Sequence, residues 1–225
     1  MTKRNLEGKT VVLAGASGGL GSAIGKRLSA AGARLVLFGR DQSRLAATGL
    51  AGDRVIGDLR DPSACDAAIH AALSHGPLSG IVNAAGTVAF GEVEELTDDV
   101  IDGLLVSNLL GPIRLVRAAL PHLEDGGFIA NISAIVAEQP TAGMAFYSAT
   151  KAALTAFDQA LARELRRRRL DVIDIRPPHT ETGLAKHPLA GTAPRLPEGL
   201  APDEVALKVV EAIQTGAREL PSSAF

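Results

Sequence analysis

The sequence predicts one α/β domain in which helices cover both faces of a doubly wound parallel sheet. Six apolar runs of strand length alternate with longer segments of helical periodicity along the 225 residues. The runs are apolar throughout, as in strands buried on both faces, and do not alternate between apolar and polar residues. No linker, repeat or low-complexity segment divides the chain, so residues 1–225 are predicted to form a single domain.

The elements follow in order from this pattern. The predicted strands cover residues 10–14, 34–38, 53–56, 78–82, 127–132 and 170–175. The predicted helices cover residues 19–31, 61–74, 98 to about 120, 145–168 and 203–215. Residues 216–225 supply at most a stunted seventh strand. The proline-rich residues 177–202 form either a mobile lid or an ordered surface loop.

Composition excludes several classes of function. Hydrophobic residues make up 46% of the chain and charged residues 21%, which is typical of a globular protein. A net charge of −2 gives no bulk positive field for nucleic acid or anionic lipid. There is no apolar run long enough for a membrane helix, no signal-peptide core, no metal-ligand spacing of histidines and only one cysteine, Cys65. We expect a cytoplasmic protein without a metal, membrane or nucleic-acid partner.

A glycine-rich turn follows the first strand, where residues 14–21 read AGASGGLG. Gly15 can take a tight turn, Gly19 lets the backbone approach a pyrophosphate, and Gly21 lets the helix pack closely on the sheet. The helix N-terminus presents free N–H groups to the phosphates. A turn that needs glycine for geometry alone is the alternative, but the strand before and the helix after favour dinucleotide binding. The predicted cofactor contacts in this loop are Gly15, Ser17, Gly18, Gly19, Leu20 and Gly21.

The end of the second strand favours NADP(H) over NAD(H). Its sequence is Phe38-Gly39-Arg40, so glycine stands where a carboxylate would bind the ribose 2′-hydroxyl. Arg40 can hold a 2′-phosphate with its planar guanidinium. The alternative is an ordinary solvated arginine, with Asp41 as its ion-pair partner.

Two polar groups in the second half of the chain suit acid–base chemistry. Tyr147, the only tyrosine, and Lys151 are four residues apart and therefore share one helical face. An ammonium beside a phenol stabilises the phenolate and lowers the tyrosine pKa. Ser133 ends the fifth strand, at the ligand edge of such a sheet. Asn108 is an amide among leucines in a long helix, where a local kink with a satisfied amide is the alternative explanation.

These motifs together resemble the classical short-chain dehydrogenase/reductase family, whose fold is Rossmann-type. The resemblance rests on the Gly-x-x-x-Gly-x-Gly loop, on the Asn-Ala-Ala-Gly stretch of residues 83–86, and on the order of the four polar residues. It implies that Tyr147 exchanges a proton with the substrate oxygen and that Ser133 binds that oxygen. Lys151 would lower the tyrosine pKa and hold the nicotinamide ribose, and Asn108 would hold a water of a proton relay.

The resemblance also implies cofactor contacts outside the glycine loop, namely Tyr147 and Lys151 together with Asp58, Leu59, Asn83, Ala84, Ala85, Gly86, Pro177, Thr180 and Thr182. Pro178 replaces a glycine that is usual in the family. His179 beside it is either a substrate contact or a plain loop residue. In the family the two long helices pair across a subunit interface, so a homodimer or homotetramer is expected.

The function implied is hydride transfer between NADP(H) and a small carbonyl or alcohol substrate, with Tyr147 as general acid and base. A non-catalytic NADP(H)-binding regulatory protein is the alternative from another class. A third reading keeps the fold but carries out epimerase or dehydratase chemistry with a recycled cofactor.

Overall fold

The computed structural model describes residues 3–225 and contains one seven-stranded parallel sheet. Its strands are β1 (Thr10–Ala14), β2 (Arg34–Gly39), β3 (Asp53–Ile56), β4 (Leu78–Asn83), β5 (Leu123–Ile132), β6 (Asp171–Ile175) and β7 (Glu219–Leu220). Their order in the sheet is β3-β2-β1-β4-β5-β6-β7. The chain winds outwards from β1 in one direction and from β4 in the other, which confirms the doubly wound α/β class.

Helices cover both faces of the sheet. They are α1 (Gly19–Ala30), α2 (Gln42–Ala47), α3 (Pro62–Leu73), α4 (Asp98–Leu105), α5 (Gly111–Ala119), α6 (Ala145–Glu164) and α7 (Pro202–Thr215). Side chains of α1 and α7 share one core cluster, and side chains of α3, α5 and α6 share another. In β1, Val11 and Leu13 enter the first cluster whereas Val12 and Ala14 enter the second, so a strand with two buried faces needs apolar residues throughout.

The structure differs from the prediction at three elements. The fifth strand begins at Leu123, four residues earlier than predicted. The short helix α2 was not predicted, although Asp41 caps it by accepting a hydrogen bond from the Arg44 N–H at 2.9 Å. The long helix predicted from residue 98 is interrupted by a π-helical turn at Val106–Leu110, which separates α4 from α5.

Residues 178–200, called the strap below, cross the carboxyl edge of the sheet after β6. Thr180 forms a β-bridge with Leu200, which joins the two ends of the strap. Its middle is fastened by the Leu189 N–H to the Val88 carbonyl at 2.8 Å and by the Phe90 N–H to the Ala190 carbonyl at 2.9 Å. Of the two predictions for this region, these contacts favour an ordered surface loop.

Within residues 3–225, no helix combines the length and the hydropathy needed to cross a bilayer. Over the same residues, no group of histidine, cysteine and acidic side chains could hold a metal ion.

Candidate active site

The glycine-rich loop forms a tight cradle at the carboxyl edge of the sheet. Gly15 has φ +75°, and a Cβ there would lie 2.5 Å from the Ala85 nitrogen in the loop after β4. A Cβ at Gly21 would lie 2.1 Å from the Gly15 carbonyl oxygen, so the loop folds directly onto the first turn of α1. Gly18 caps α1 without any side-chain hydrogen bond. The first-turn N–H groups are therefore not satisfied by a capping side chain, and the cradle fits a diphosphate.

Gly19 is needed for a reason that the sequence did not reveal. A Cβ on this residue would lie 2.6 Å from the Thr182 carbonyl oxygen and 2.8 Å from the Thr182 Cα. The main chain of the strap thus rests on the glycine loop. The sequence predicted that a pyrophosphate would approach the Gly19 backbone closely. In the structure the Thr182 main chain makes such an approach, which places Thr182 on the cofactor side of the sheet edge.

Arg40 directly follows β2 and lies beside Asp58, the carboxylate that follows β3. Its side chain is 65% exposed, and its guanidinium lies 4.0 Å from the Asp58 carboxylate. Partial burial raises the pKa of Asp58, but hydrogen bonds from Arg60 and the charges of Arg60 and Arg40 outweigh it and hold that pKa below its usual value. The pairing with Asp41 that was considered for Arg40 is not seen, because Asp41 caps α2.

A second arginine near this position was missed by sequence reasoning. The Arg44 guanidinium is 3.5 Å from the Ser17 carbonyl oxygen, so it reaches across from α2 to the glycine loop. The available signal was the cap at Asp41, which starts a helix and places residue 44 in its first turn. Arg40 and Arg44 thus lie on two sides of this corner, Arg40 at the edge of the Asp58–Arg60 pair and Arg44 against the glycine loop.

Tyr147 and Lys151 lie together in the first turns of α6, and both are buried. The Lys151 Nζ lies 5.9 Å from the centre of the Tyr147 ring and donates a hydrogen bond to the Ile132 carbonyl at 2.9 Å. Burial lowers the pKa of Lys151 to about 8, against the opposing charge of Asp174. Burial also raises the pKa of Tyr147 to about 12. The expected lowering of the tyrosine pKa is therefore wrong for this structure, because loss of solvent dominates, and the phenol is a protonated donor at neutral pH.

Asn108 lies in the π-helical turn with both ends of its amide engaged. Its Oδ1 accepts the Thr87 N–H at 2.9 Å, and its Nδ2 donates to the Thr87 carbonyl at 2.9 Å and to the Thr150 hydroxyl at 3.4 Å. A Cβ on Gly86 would lie 3.0 Å from Asn108 Oδ1 and 3.5 Å from Lys151 Nζ, so the two side chains meet at this glycine. The Asn108 side chain therefore fits the alternative explanation, a local kink in the helix with a fully hydrogen-bonded amide. This amide is thus fully engaged with protein groups, and the predicted role of holding a relay water stays a prediction.

Ser133 is not placed to bind a substrate oxygen. Its hydroxyl donates to the Lys151 main-chain carbonyl at 2.9 Å and lies 3.3 Å from the Thr155 hydroxyl, so it faces the inner side of α6. The next residue, Ala134, is extended and packs against the apolar cluster that contains Tyr147. Side chains of successive residues in an extended chain point to opposite sides. Here the Ala134 methyl group packs against the cluster that contains Tyr147, and the Ser133 hydroxyl points to the other side. The role predicted for Ser133 is corrected accordingly.

The remaining predicted contacts lie along the same edge. The Asn83 amide donates to Asn131 Oδ1 at 2.6 Å and so links the end of β4 to β5. Leu59 is buried against Gly111. The Pro177 carbonyl accepts the Ile135 N–H at 2.9 Å, and the Thr180 hydroxyl donates to the Pro178 carbonyl at 2.9 Å, so both hold the base of the strap.

Two cavities border the strap and the site. One of about 220 Å³ is lined by strap residues, including His179, whose Nε2 lies 3.3 Å from the Glu181 carboxylate. The other, of about 10 Å³, borders the phenol and is lined by uncharged residues: Ala89, Gly91, Leu96, Leu104, Gly143, Met144, Ala145, Phe146 and Tyr147. The surroundings of the phenol along this cavity are therefore apolar.

Comparisons with known proteins agree with this geometry. The family model described as short chain dehydrogenase matches residues 9–191. An uncharacterized oxidoreductase of Methylorubrum extorquens is 33% identical over 219 residues, covering 89% of this chain and 88% of the relative. A short-chain dehydrogenase from Burkholderia cenocepacia, solved in complex with NADP, is 31% identical with a TM-score of 0.87 and 98% coverage of both chains. A blue fluorescent protein from a metagenomic library, solved with NADPH, is 28% identical with a TM-score of 0.84 and 97% coverage of both.

The match to the family model spans most of the chain, from β1 into the strap. It includes the glycine loop and the Tyr147–Lys151 pair. This chain therefore belongs to the short-chain dehydrogenase/reductase family and is an NAD(P)-dependent oxidoreductase with its Rossmann-type fold.

Proposed function

We propose that the protein transfers hydride between NADP(H) and a small, uncharged carbonyl or alcohol, with Tyr147 as general acid and base. The observation that carries the proposal is the buried Tyr147–Lys151 pair, one helical turn apart at the sheet edge that holds the glycine cradle. A phenol that is protonated at neutral pH suits proton donation to a carbonyl oxygen, so reduction is the direction that this site favours. The uncharged lining beside Tyr147 supports a substrate without charge.

The nicotinamide cofactor, when bound, supplies the hydride. The first-turn amides at Gly19, Leu20 and Gly21 would hold its diphosphate, while the Gly18 N–H closes the loop on the Gly15 carbonyl at 2.9 Å. Lys151 would hold the nicotinamide ribose, and Thr182 the carboxamide. The adenosine half would lie against Asp58, Leu59 and the loop of residues 83–86.

Arg40 and Arg44 support NADP(H) as the cofactor. Their guanidinium groups border the exposed corner between the glycine loop and β2, where a 2′-phosphate carries its charge. The NADP and NADPH of the two structural neighbours support the same choice. We further propose a cytoplasmic homodimer or homotetramer that pairs through α4, α5 and α6.

The test measures absorbance of the reduced nicotinamide with a panel of neutral aldehydes and ketones. Tyr147→Phe should lower turnover by about a thousandfold, as expected for loss of a general acid, while NADPH binding is retained. Ser148→Ala is the matched control, since it removes one hydroxyl from the next residue of α6 and should keep turnover. Turnover retained in Tyr147→Phe would remove Tyr147 from the mechanism.

One observation favours a second candidate, a non-catalytic NADP(H)-binding regulatory protein. The Ser133 hydroxyl is hydrogen-bonded to α6, so it cannot also donate a hydrogen bond to a substrate oxygen beside Tyr147. That candidate predicts tight NADPH binding without turnover of any carbonyl or alcohol in the panel, and identical behaviour of the wild type and Tyr147→Phe.

A further inference from the structure

A buried charged cluster lies behind Lys151, between α6 and the end of β6. Asp174, in register with Asn131 of β5, has a side chain only 4% exposed. The Arg176 Nε lies 3.3 Å from the Asp174 carboxylate and 3.0 Å from the Glu138 carboxylate, and its other end contacts Glu219. We call Asp174, Arg176, Glu138 and Glu219 the β6 charge cluster.

This cluster is connected to the backbone of Lys151 by side-chain hydroxyls. The Thr155 hydroxyl donates to Asp174 Oδ1 at 3.2 Å. The Ser133 hydroxyl lies 3.3 Å from the Thr155 hydroxyl and donates to the Lys151 carbonyl at 2.9 Å. Asp174 is therefore held at a fixed position relative to the turn of α6 that carries Lys151.

The cluster has more negative than positive charge. Glu219 is 59% exposed, so water screens it and it contributes little. The two shielded carboxylates, Asp174 and Glu138, still outnumber the single cation Arg176. Lys151, in contrast, is a buried cation whose ammonium has a hydrogen bond to one carbonyl and no ion pair with any acid among residues 3–225.

We propose that Asp174 is a positioning residue whose carboxylate serves as the counter-charge that keeps Lys151 protonated in its buried site. This proposal rests on the proposed function, in which the ammonium acts beside Tyr147. The Lys151 ammonium binds the carbonyl of Ile132, and Asp174 lies on the neighbouring strand, paired with Asn131, the residue before that carbonyl. An uncompensated buried ammonium would lose its proton, and a carboxylate on the adjacent strand in a low-dielectric region opposes that loss.

The titratable groups around the pair agree with this assignment. Burial lowers the pKa of Lys151, and Asp174 is the charge that raises it. Burial raises the pKa of Asp174, Arg176 lowers it, and the charges of Glu219 and Glu138 raise it. Burial raises the pKa of Asp158, which is on α6 like Lys151; its hydrogen bond from Asn131 lowers that pKa, and the charge of Asp174 raises it.

The contrast between the two buried aspartates gives a matched experiment. The chain has six lysines, so NMR of protein labelled with ¹³C at the lysine ε-carbon shows few signals, and Lys151→Met identifies the one from Lys151. Asp174→Asn should lower the midpoint of that signal by about one unit or more. Asp158→Asn changes the other buried aspartate, which is not among the charges acting on Lys151, and should leave the midpoint in place. An unchanged midpoint in Asp174→Asn, or an equal shift in both variants, would overturn the proposal.

Two further measurements keep the test decisive. If Asp174→Asn does not fold, Arg176→Gln should move the Lys151 midpoint upwards, because it removes the cation that offsets Asp174; a downward or absent shift counts against the proposal. In the active enzyme, the rate of reduction declines at alkaline pH as Lys151 loses its proton. In Asp174→Asn, the pH of this decline should move down together with the Lys151 midpoint. The lysine titration needs no turnover, so the two failures are distinguishable: an inactive wild type would reject the proposed function, and an unchanged Lys151 midpoint in Asp174→Asn would reject the counter-charge.

Discussion

Lys151→Met should stabilise the fold at neutral pH even though it removes a residue of the site. Burial lowers the lysine pKa from 10.5 to about 8, so charging this side chain costs the folded protein about 3 kcal/mol. The variant loses a hydrogen bond to the Ile132 carbonyl, worth about 1 kcal/mol with a neutral amine. A net gain of about 2 kcal/mol in the free energy of unfolding is therefore expected at pH 7.

The dependence on pH gives the sharper result. A lowered lysine pKa means that the wild type has its full stability above pH 10.5 and loses it as pH falls towards 8. The advantage of Lys151→Met should thus shrink between pH 8 and pH 10.5 and reverse at the upper end. Urea unfolding across this range measures it, with Lys208→Met on the exposed side of α7 as the control. A variant that is less stable than the wild type at pH 7, or a difference that does not change with pH, would refute the reasoning.

Three more predictions concern the site directly. Tyr147 is the only tyrosine and there is no tryptophan, so the near-ultraviolet phenolate band reports it alone; its midpoint should lie near 12, and a midpoint at or below 10 would contradict the burial argument. Ala134→Ser should add a hydroxyl on the side of Tyr147 and raise the rate of carbonyl reduction about tenfold, whereas Ser133→Ala should cost stability more than rate; the reverse order would restore Ser133 as the substrate contact. Arg40→Ala and Arg44→Ala should each raise the KM for NADPH about tenfold and leave that for NADH unchanged, and an equal loss for both cofactors would reject their role at a 2′-phosphate.

Local sequence patterns were sufficient to predict the buried strands and the glycine turn. The alternation of Val11 to Ala14 between two cores and the left-handed turn at Gly15 follow from residue type alone. The π-turn was not predicted, although Gly111 and Pro112 follow it directly and Pro112 has no N–H to bond the Asn108 carbonyl four residues earlier. The contact that the sequence could not reveal is the clamp of Asn108 on the Thr87 main chain, between residues 21 positions apart.

The assignment of Ser133 shows that local sequence is likewise insufficient to position a single side chain in the site. The sequence placed a serine at the end of β5, but which side of the chain it faces depends on the register of the strand. At that point Ser133 and Ala134 face opposite sides, so an assignment by residue type selected the wrong neighbour. The pKa of Tyr147 was missed for a related reason. Burial is a property of the packed structure, whereas the four-residue spacing reveals only that an ammonium is near.

The way the strap is fastened bears on how such a protein can change over evolutionary time. Its contacts with Val88 and Phe90, and its approach to Gly19, are made by main-chain atoms. Apart from Gly191, where φ is +71° and a Cβ would collide with the Phe90 carbonyl, and Gly183, where φ is +78°, most residues can supply those atoms, so the outward side chains between positions 184 and 198 can diverge without detaching the segment. New substrate preferences can therefore arise in the strap while the cofactor cradle beneath it stays unaltered.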